Sequence, residues 1–181
     1  MSRERLLEAA VEHVSRHGVG DFSLRRLGAA IGSSHRMLIY HFGGRDGLMV
    51  AIVRAVEQRQ QEALAKDLAD AGDDLVSATR TMWARLTAPE LAPNERLFFE
   101  LYGRALNGDP GAAPILDGVV SDWVEPVLAR LSGPDSAYWL TRHDIRLGLA
   151  VVRGLLLDLL ATGDVRGTTE ALETFLDRYR T

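Results

Sequence analysis

The chain has 181 residues, of which 46% are hydrophobic and 25% are charged. This balance is typical of a globular protein with one or two domains, and it excludes a disordered chain. The absence of cysteine excludes disulfide frameworks and thiolate metal sites. The net charge is −4, but residues 1–47 carry seven arginines and five acids, so this segment is net positive and the remainder is acidic. Such a polarity is expected of a protein that binds phosphates at one end.

Membrane and export signals are not evident in the sequence. No apolar run approaches the roughly 20 residues that a transmembrane helix needs. The most apolar segment, residues 145–160, is interrupted by Arg146, Arg153 and Asp158. Residues 1–10 have the pattern of an amphipathic helix that includes acids, which is unlike a signal peptide. We therefore expect a soluble protein in the cytoplasm.

The first predicted helix carries an apolar stripe at helical spacing and ends at Gly18, a suitable C-cap. The stripe consists of Leu6, Leu7, Ala10, Val11 and Val14. His13 and His17 are one turn apart and have the spacing of a metal-binding pair. No third ligand is evident nearby, and the helix dipole already favours a histidine near a helix C-terminus, so we predict no metal site.

The next residues have the pattern of a short helix followed by a tight turn. Ser23 can cap a helix in which Leu24, Leu27 and Ile31 share one face. Gly32 then permits the positive φ that a tight turn between two helices requires. This pattern indicates the first half of a helix-turn-helix.

A second short helix follows, with Ser33 or Ser34 as its N-cap. Leu38 and Phe42 are four residues apart and therefore point to the same side, which we expect to be the core. The remaining side chains of this helix lie on its other faces, away from the core, and are available to contact a partner: His35, Arg36, Met37, Ile39, Tyr40 and His41.

This stretch resembles the DNA-binding core of the tetracycline-repressor (TetR) family of bacterial transcriptional regulators. The resemblance rests on Phe22, Ser23, Leu27, Gly32, Ser34, Leu38, Tyr40, His41, Phe42, Arg45 and Leu48. The family usually has a small apolar residue at Ser33, a small residue at Arg36, tyrosine at Ile39 and lysine at Arg45. The tyrosine commonly holds a DNA phosphate in relatives, so either Tyr40 takes over part of that role or the protein relies more on Arg36.

The second helix is expected to read a half-site in the major groove. Arg25 and Arg36 are candidate base contacts, because a guanidinium can bind O6 and N7 of guanine together. His35 can donate to a base edge, and Met37 can pack against a thymine methyl group. Alternatively, Arg36 is a solvated surface arginine, as most arginines are. We expect phosphate contacts from Ser23, Ser34, Tyr40, His41 and Arg45.

The rest of the chain is predicted to be a larger helical domain. After Gly43 and Gly44 a further helix becomes polar over residues 57–62, as a connector between domains does. Five apolar-rich segments follow, and none alternates as a strand would, so we predict an all-α fold. We place a three-helix helix-turn-helix DNA-binding domain at residues 1–46 and a helical effector-binding and dimerisation domain at residues 47–181.

Aromatic residues are concentrated in the middle of this second domain. Together they could line an apolar ligand cavity, although each one taken singly is more simply explained as part of a core. The ligand-binding candidates are Trp83, Phe98, Phe99, Tyr102, Trp123 and Trp139. The TetR resemblance implies that this domain senses a small molecule, and we expect a largely apolar or aromatic effector.

The last two predicted helices have the features of a subunit interface. Residues 143–163 carry a wide apolar face, and Gly148, Ala150 and Gly154 permit close backbone approach. The TetR resemblance implies that these helices form a four-helix bundle in a homodimer. The interface candidates are Val151, Leu155, Leu159, Leu172, Phe175 and Leu176. The alternative is a central helix that is simply buried within one subunit.

The resemblance implies a ligand-responsive repressor that binds an inverted-repeat operator as a dimer, is released by its effector and needs no cofactor. The alternative is a helix-turn-helix protein without an effector, acting as a constitutive or architectural binder. An enzyme is not expected, because the chain has no phosphate-binding glycine loop, no HExxH and no GxSxG motif. The triplet Arg142, His143 and Asp144 is similar to a kinase catalytic loop but lacks its glycine-rich loop and metal-binding partners.

Overall fold

The computed structural model describes residues 1–18, 23–131 and 140–179, and within these ranges it consists of helices and their connections, without strands. The predicted all-α fold is therefore confirmed. The helices are α1 Arg3–His17, α2 Leu24–Ala30, α3 His35–Phe42, α4 Arg45–Asp70, α5 Leu75–Leu86, α6 Ala92–Leu106, α7 Ser121–Leu131, α8 Arg142–Thr162 and α9 Val165–Leu176. Short 3-10 turns cover Ala113–Leu116 and Asp177–Tyr179. None of the described helices is both long enough and apolar enough to cross a bilayer.

Serine hydroxyls cap the first three helices, as helix N-termini with unpaired N–H groups require. The hydroxyls of Ser2, Ser23 and Ser34 accept hydrogen bonds from backbone N–H groups in the first turns of α1, α2 and α3. The cap of α3 is thus Ser34, which decides between the two predicted alternatives. Gly18 ends α1 with a φ of 70°, also as predicted.

The described chain divides by packing into two compact units. Unit 1 consists of Met1–Arg59 and Pro89–Asp117, and unit 2 consists of Gln60–Ala88 and Gly118–Thr181. Helix α4 contributes residues to both units. The division into a DNA-binding domain at residues 1–46 and an effector-binding and dimerisation domain at residues 47–181 is a division by function, and it stays a prediction.

The core of unit 1 is built on the predicted stripe of α1. Helices α2 and α6 pack against α1, and α3 packs against α2. Leu7 is only half-buried, but the rest of the stripe is buried. A polar contact lies within the α1–α6 packing, because Asn94 Nδ2 donates to Ser15 Oγ at 2.7 Å. The most deeply buried members of this core are Leu6, Val14, Leu27, Leu38, Leu48, Met49, Ile52, Leu97 and Leu101.

The core of unit 2 is formed where α8 packs against α7 and α9. Two polar contacts join α5 to α9 beside this core. Trp83 Nε1 donates to Thr169 Oγ1 at 2.9 Å, and the Arg80 guanidinium makes two 2.7 Å hydrogen bonds to the Glu173 carboxylate. Because the Arg80–Glu173 ion pair is bidentate and partly buried, its geometry is more specific than that of an ordinary surface ion pair.

Candidate nucleic-acid interface

Helix α3 has one buried face and one exposed face, which is the arrangement that a recognition helix needs. Leu38 and Phe42 are buried, as predicted from their spacing. On the other side, 78% of Tyr40 and 42% of Ile39 are exposed, and Arg36 is exposed as well. A large apolar side chain that remains open to solvent on so short a helix is available to contact a partner.

Two glycines fix α3 against α2. Gly32 has the positive φ, 66°, that the sequence predicted for the turn. Gly28 has a different role, because a Cβ atom there would lie 3.1 Å from backbone atoms of Ser34 and His35. The backbones of α2 and the start of α3 therefore approach closely. Gly28 was not predicted, although a glycine inside a seven-residue helix is a signal of such an approach.

The turn between α3 and α4 is equally tight. Gly43 ends α3 in the left-handed conformation, with a φ of 76°. In the first turn of α4, a Cβ atom on Gly47 would overlap the carbonyl oxygen of Phe42. The first turn of α4, with Arg45 and Asp46, is therefore held at the C-terminal end of the reading helix.

The residues predicted to contact DNA differ in how exposed their side chains are. Met37 and His41 are half-buried, whereas the remaining seven are exposed: Ser23, Arg25, Ser34, His35, Arg36, Tyr40 and Arg45. Ser23 and Ser34 accept the capping bonds through Oγ at 3.2 Å in each case, and a hydroxyl that accepts can still donate to a phosphate. The structure thus groups these residues on α2, α3 and the start of α4.

His41 is less accessible than the phosphate role requires. Its Nε2 atom is buried and has no hydrogen-bond partner among the described residues. The ring lies edge-on to Tyr40, with 5.0 Å between centroids, and edge-on to Phe42. A phosphate contact from His41 would therefore have to be made by Nδ1, and it stays a prediction.

His13 and His17 are stacked on each other, with 4.5 Å between ring centroids. His17 Nδ1 lies 3.0 Å from the carbonyl oxygen of His13. Burial, followed by the neighbouring His17, lowers the pKa of His13 below its ordinary value. No group of three or more metal-ligating side chains occurs among the described residues.

The predicted ligand-binding aromatics are split between the two compact units. Phe98, Phe99 and Tyr102 lie on α6 in unit 1, where Phe98 stacks on Tyr102 at 5.6 Å and is buried. Trp83 is a buried core residue of unit 2 whose indole N–H is satisfied by Thr169. Trp139 and the motif residue Phe22 lie outside the described residues.

Trp123 is the member of that set that borders an open cleft within unit 2. The cleft lies between α4 and α7 and holds about 300 Å³, including space open to solvent. Its polar members are Gln61, Asp122 and Arg130, and Arg130 is paired with Asp73 at 2.5 Å. The apolar side chains that line it are Leu64, Ala65, Leu68, Trp123, Pro126 and Val127.

The predicted interface residues differ in whether a partner could reach them. Leu172 and Leu176 are buried within unit 2, so a partner subunit could not contact them directly. The other four, Val151, Leu155, Leu159 and Phe175, are partly exposed. Three further large apolar side chains of α8 and α9, which are not among the predicted interface residues, are about half exposed: Leu147, Leu157 and Val165.

These features define a class of protein, an all-α chain with an N-terminal helix-turn-helix whose second helix is exposed. Residues 6–52 match the family of bacterial regulatory proteins called the tetR family. The chain is 33% identical over 72 residues to the HTH-type transcriptional regulator BetI of Stenotrophomonas maltophilia, and 32% identical over 66 residues to the HTH-type transcriptional repressor AcnR of Corynebacterium glutamicum. These alignments cover 40% and 36% of this chain, but only 37% and 35% of the two relatives.

Solved structures share the fold over nearly the whole chain. A protein from Rhodococcus sp. assigned to the TetR family has a TM-score of 0.74, at 20% identity, over 98% of both chains. The TetR-family repressor FadR of Thermus thermophilus, in complex with lauroyl-CoA, has a TM-score of 0.67 at 18% identity over 97% of this chain and 92% of its own. The multidrug binding protein EbrR, complexed with proflavin, has a TM-score of 0.62 at 24% identity over 95% of this chain and 98% of its own.

The tetR-family match over residues 6–52 includes α2, α3 and the start of α4. The resemblance predicted from residues 22–48 is therefore confirmed, and so is the architecture of a helix-turn-helix domain followed by a helical region. The related proteins are named as regulators and repressors, which agrees with the expectation that the chain is not an enzyme.

Proposed function

We propose that this protein is a ligand-responsive transcriptional repressor in the cytoplasm that binds an inverted-repeat operator as a homodimer and is released by a small, largely apolar effector. The observation that carries the proposal is the exposed face of α3, which Ser34 caps and two tight glycine turns hold in place. The tetR-family match covers the same residues.

Arg36 and Arg25 are the side chains to which we assign base contacts. Both are exposed, Arg36 in the first turn of α3 and Arg25 in the first turn of α2. A recognition helix contacts base edges mainly through its N-terminal residues, which favours His35, Arg36 and the half-buried Met37. To Tyr40, which is exposed near the other end of α3, we assign a phosphate contact that sets the register.

The homodimer is supported by the apolar side chains that α8 and α9 leave exposed. Leu157, of which 52% is exposed, lies on α8 three residues after Gly154, on the same side of the helix. A Cβ atom on Gly154 would meet no atom within 4 Å, so a partner helix could approach the backbone there. An isologous dimer presents two identical recognition helices. Because a two-fold axis relates them, they favour an inverted repeat.

The apolar effector is supported by the cleft beside Trp123, whose walls are mainly apolar. FadR and EbrR, which share the fold, are complexed with lauroyl-CoA and proflavin, and both ligands carry a large apolar group. An effector can change the distance between the two recognition helices only to the extent that it binds the dimer more tightly at one distance than at the other. The cleft is lined by α4, the helix whose first turn adjoins the reading helix.

The alternative is a helix-turn-helix protein that binds DNA without an effector. It is favoured by the openness of the cleft, because ligand pockets usually bury most of the ligand surface, whereas this cleft is partly open to solvent. A thermal-shift screen discriminates the two, because an effector that binds the folded state raises the melting temperature. Release of operator DNA by a stabilising apolar compound would support the sensor, and stabilisation only by highly polar compounds would contradict the proposed effector class.

The experiment that tests the proposed function is selection from fragmented host genomic DNA at one fixed, near-physiological salt concentration. Salt must be fixed because phosphate contacts alone give salt-dependent affinity for any sequence. Recovery of a few fragments that share one inverted repeat is the expected result. Diffuse, salt-labile retention without a shared site would contradict the operator proposal and would indicate that Ser33, Arg36 and Ile39 have altered the reader.

A further inference from the structure

Arg104, in the last turn of α6, lies between two carboxylates of unit 1. Its Nη2 atom is 3.0 Å from Asp46 Oδ1 and 2.6 Å from Asp109 Oδ2, and its Nε atom donates to Asp109 Oδ2 at 2.7 Å. The other oxygen of Asp109 accepts a hydrogen bond from Gly111 N at 2.8 Å. Asp109 is therefore held by the backbone, and it holds the guanidinium in the direction of Asp46.

The pKa directions agree with this geometry. Hydrogen bonds to Asp109 and then to Asp46 raise the pKa of Arg104 above its ordinary value. Arg104 and then the Gly111 N–H lower the pKa of Asp109. Both directions favour the charged forms of Arg104 and Asp109.

Asp46 lies in the first turn of α4, next to a proposed DNA contact. It follows Arg45, a predicted phosphate contact, and its carboxylate lies 3.9 Å from the Arg45 guanidinium. Gly47 fixes this turn against the end of α3. An acid in the first turn of α4 is favoured by the helix dipole, but a carboxylate next to a phosphate-binding surface repels DNA.

The loop after α6 also holds Asp46 in position. A Cβ atom on Gly111 would lie 2.7 Å from Asp46 Oδ2, so the loop backbone packs directly against the carboxylate. Asp46 thus has Arg104 on one oxygen and the Gly111 backbone close to the other. The carboxylate is turned towards α6 and its loop, which are distant in sequence from the helix-turn-helix.

We propose that Arg104 is a positioning residue for DNA binding: it offsets the charge of Asp46 and keeps that carboxylate directed away from the DNA phosphates. This inference rests on the proposed DNA contact at the start of α4. The charges of Arg45, Asp46, Arg104 and Asp109 sum to zero, and the sum becomes −1 when Arg104 is neutralised. A residue of α6, outside the helix-turn-helix, therefore contributes to DNA affinity without contacting DNA.

The test is a double-mutant cycle between Arg104→Gln and Asp46→Asn. Binding of the full chain to a fluorescein-labelled, random-sequence DNA duplex is measured by anisotropy, from about 50 to about 300 mM salt. We expect Arg104→Gln to weaken binding about three- to fivefold at the lowest salt, which is the effect of one partly exposed charge pair. The difference should shrink as salt rises, because screening weakens exposed charges.

The second arm separates charge from structural support. Asp46→Asn is expected to bind at least as tightly as the natural chain, and the double variant, in which the four charges again sum to zero, is expected to bind as the natural chain does. If Asp46→Asn weakens binding as much as Arg104→Gln, or if the double variant stays weak, the ion pair acts as a structural support and the inference is wrong. Arg104→Lys keeps the charge and should retain most of the affinity.

Arg54→Gln is the matched control, because Arg54 also pairs with an acid of unit 1, Asp117, at 3.3 Å. It should leave DNA binding unchanged. If Arg104→Gln fails to fold by circular dichroism, Asp46→Asn and Arg104→Lys still decide the question, since weakening by Asp46→Asn overturns the inference. If the natural chain binds no DNA, the proposed function fails. If it binds and Arg104→Gln binds equally well, only this inference fails.

Discussion

Arg36 is the residue on which the proposed sequence preference depends most. It is exposed in the first turn of α3. We expect Arg36→Ala to relax the preference at one base position, costing about 1 to 3 kcal/mol there, because a guanidinium binds guanine through two acceptors. Affinities for the selected operator and for duplexes with each base pair changed measure this effect.

The matched control is Arg16→Ala, which removes an exposed arginine that pairs with Glu12 on α1. It should change all affinities little. Equal weakening by Arg36→Ala on every duplex would make Arg36 a phosphate contact instead of a base contact. No change on any duplex would make it a solvated surface residue.

Single residues were predictable where a local rule decides their environment. The four-residue spacing of Leu38 and Phe42 predicted the buried face of α3, and Ser23 and Ser34 were predictable as caps because the cap bond is local. The sequence predicts a phosphate contact from His41, but its Nε2 atom is buried and has no hydrogen-bond partner among the described residues. Spacing alone does not determine the direction of a side chain at the edge of a helix face.

Among the elements, the α3–α4 turn depends on Gly47. A Cβ atom there would overlap the Phe42 carbonyl oxygen, which is backbone and cannot move aside as a side chain could. We expect Gly47→Ala to lower the free energy of unfolding by about 1 to 3 kcal/mol, as overpacking does. Urea unfolding followed by circular dichroism gives the value.

Gly103→Ala is the control for that substitution, because a Cβ atom on Gly103 inside α6 meets nothing within 4 Å. Alanine has the higher helix propensity, so this variant should be stabilised by roughly 0.5 to 1 kcal/mol. Equal effects of the two substitutions would contradict the tight turn.

The start of α8 provides a pH-dependent prediction. Thr141 and Asp144 form a capping box in which each side chain bonds the other's backbone N–H. Hydrogen bonds from the Thr141 hydroxyl and N–H lower the pKa of Asp144 below its ordinary value of 3.8. Because the folded pKa is below the unfolded one, the stabilisation is present above the unfolded pKa and is lost as pH falls through the folded pKa.

We therefore expect Asp144→Asn to be less stable than the natural chain at pH 7 and to approach its stability at an acidic pH below the folded pKa of Asp144. Thr141→Ala removes the partner hydroxyl and should cost about 1 kcal/mol at pH 7. Urea unfolding at both pH values measures the convergence. A constant difference between Asp144→Asn and the natural chain at the two pH values would show that Asp144 does not titrate in the capping box.

Pairings between distant elements could not be predicted from the sequence. Arg104 and Asp46 are 58 positions apart, and Asn94 and Ser15 are 79 apart, so neither pair belongs to a helical period. The aromatic residues were treated as one set because they cluster along the chain. The structure divides them between two compact units, because α5 and α6 are neighbours in sequence but belong to different cores.

For the whole molecule, the proposed dimer links unit 2 to DNA binding. Leu157 is the natural position to test, because it is 52% exposed on α8 and does not belong to the core of its own subunit. Leu157→Glu places a charge where a partner helix would bury it, and burying an unpaired charge is costly. The variant should therefore sediment as a monomer at micromolar concentrations, at which the natural chain should be a dimer.

The same substitution should affect DNA binding in a selective way. A monomer keeps one recognition helix and half of the phosphate contacts, so it should bind a random-sequence duplex more weakly and, in addition, lose its preference for the inverted repeat. Leu106→Glu is the control, because Leu106 is 66% exposed on α6, outside the proposed interface. A natural chain that sediments as a monomer, or a Leu157→Glu variant that stays dimeric, would place the interface elsewhere. A monomeric Leu157→Glu variant with full operator affinity would mean that a single reader recognises the site.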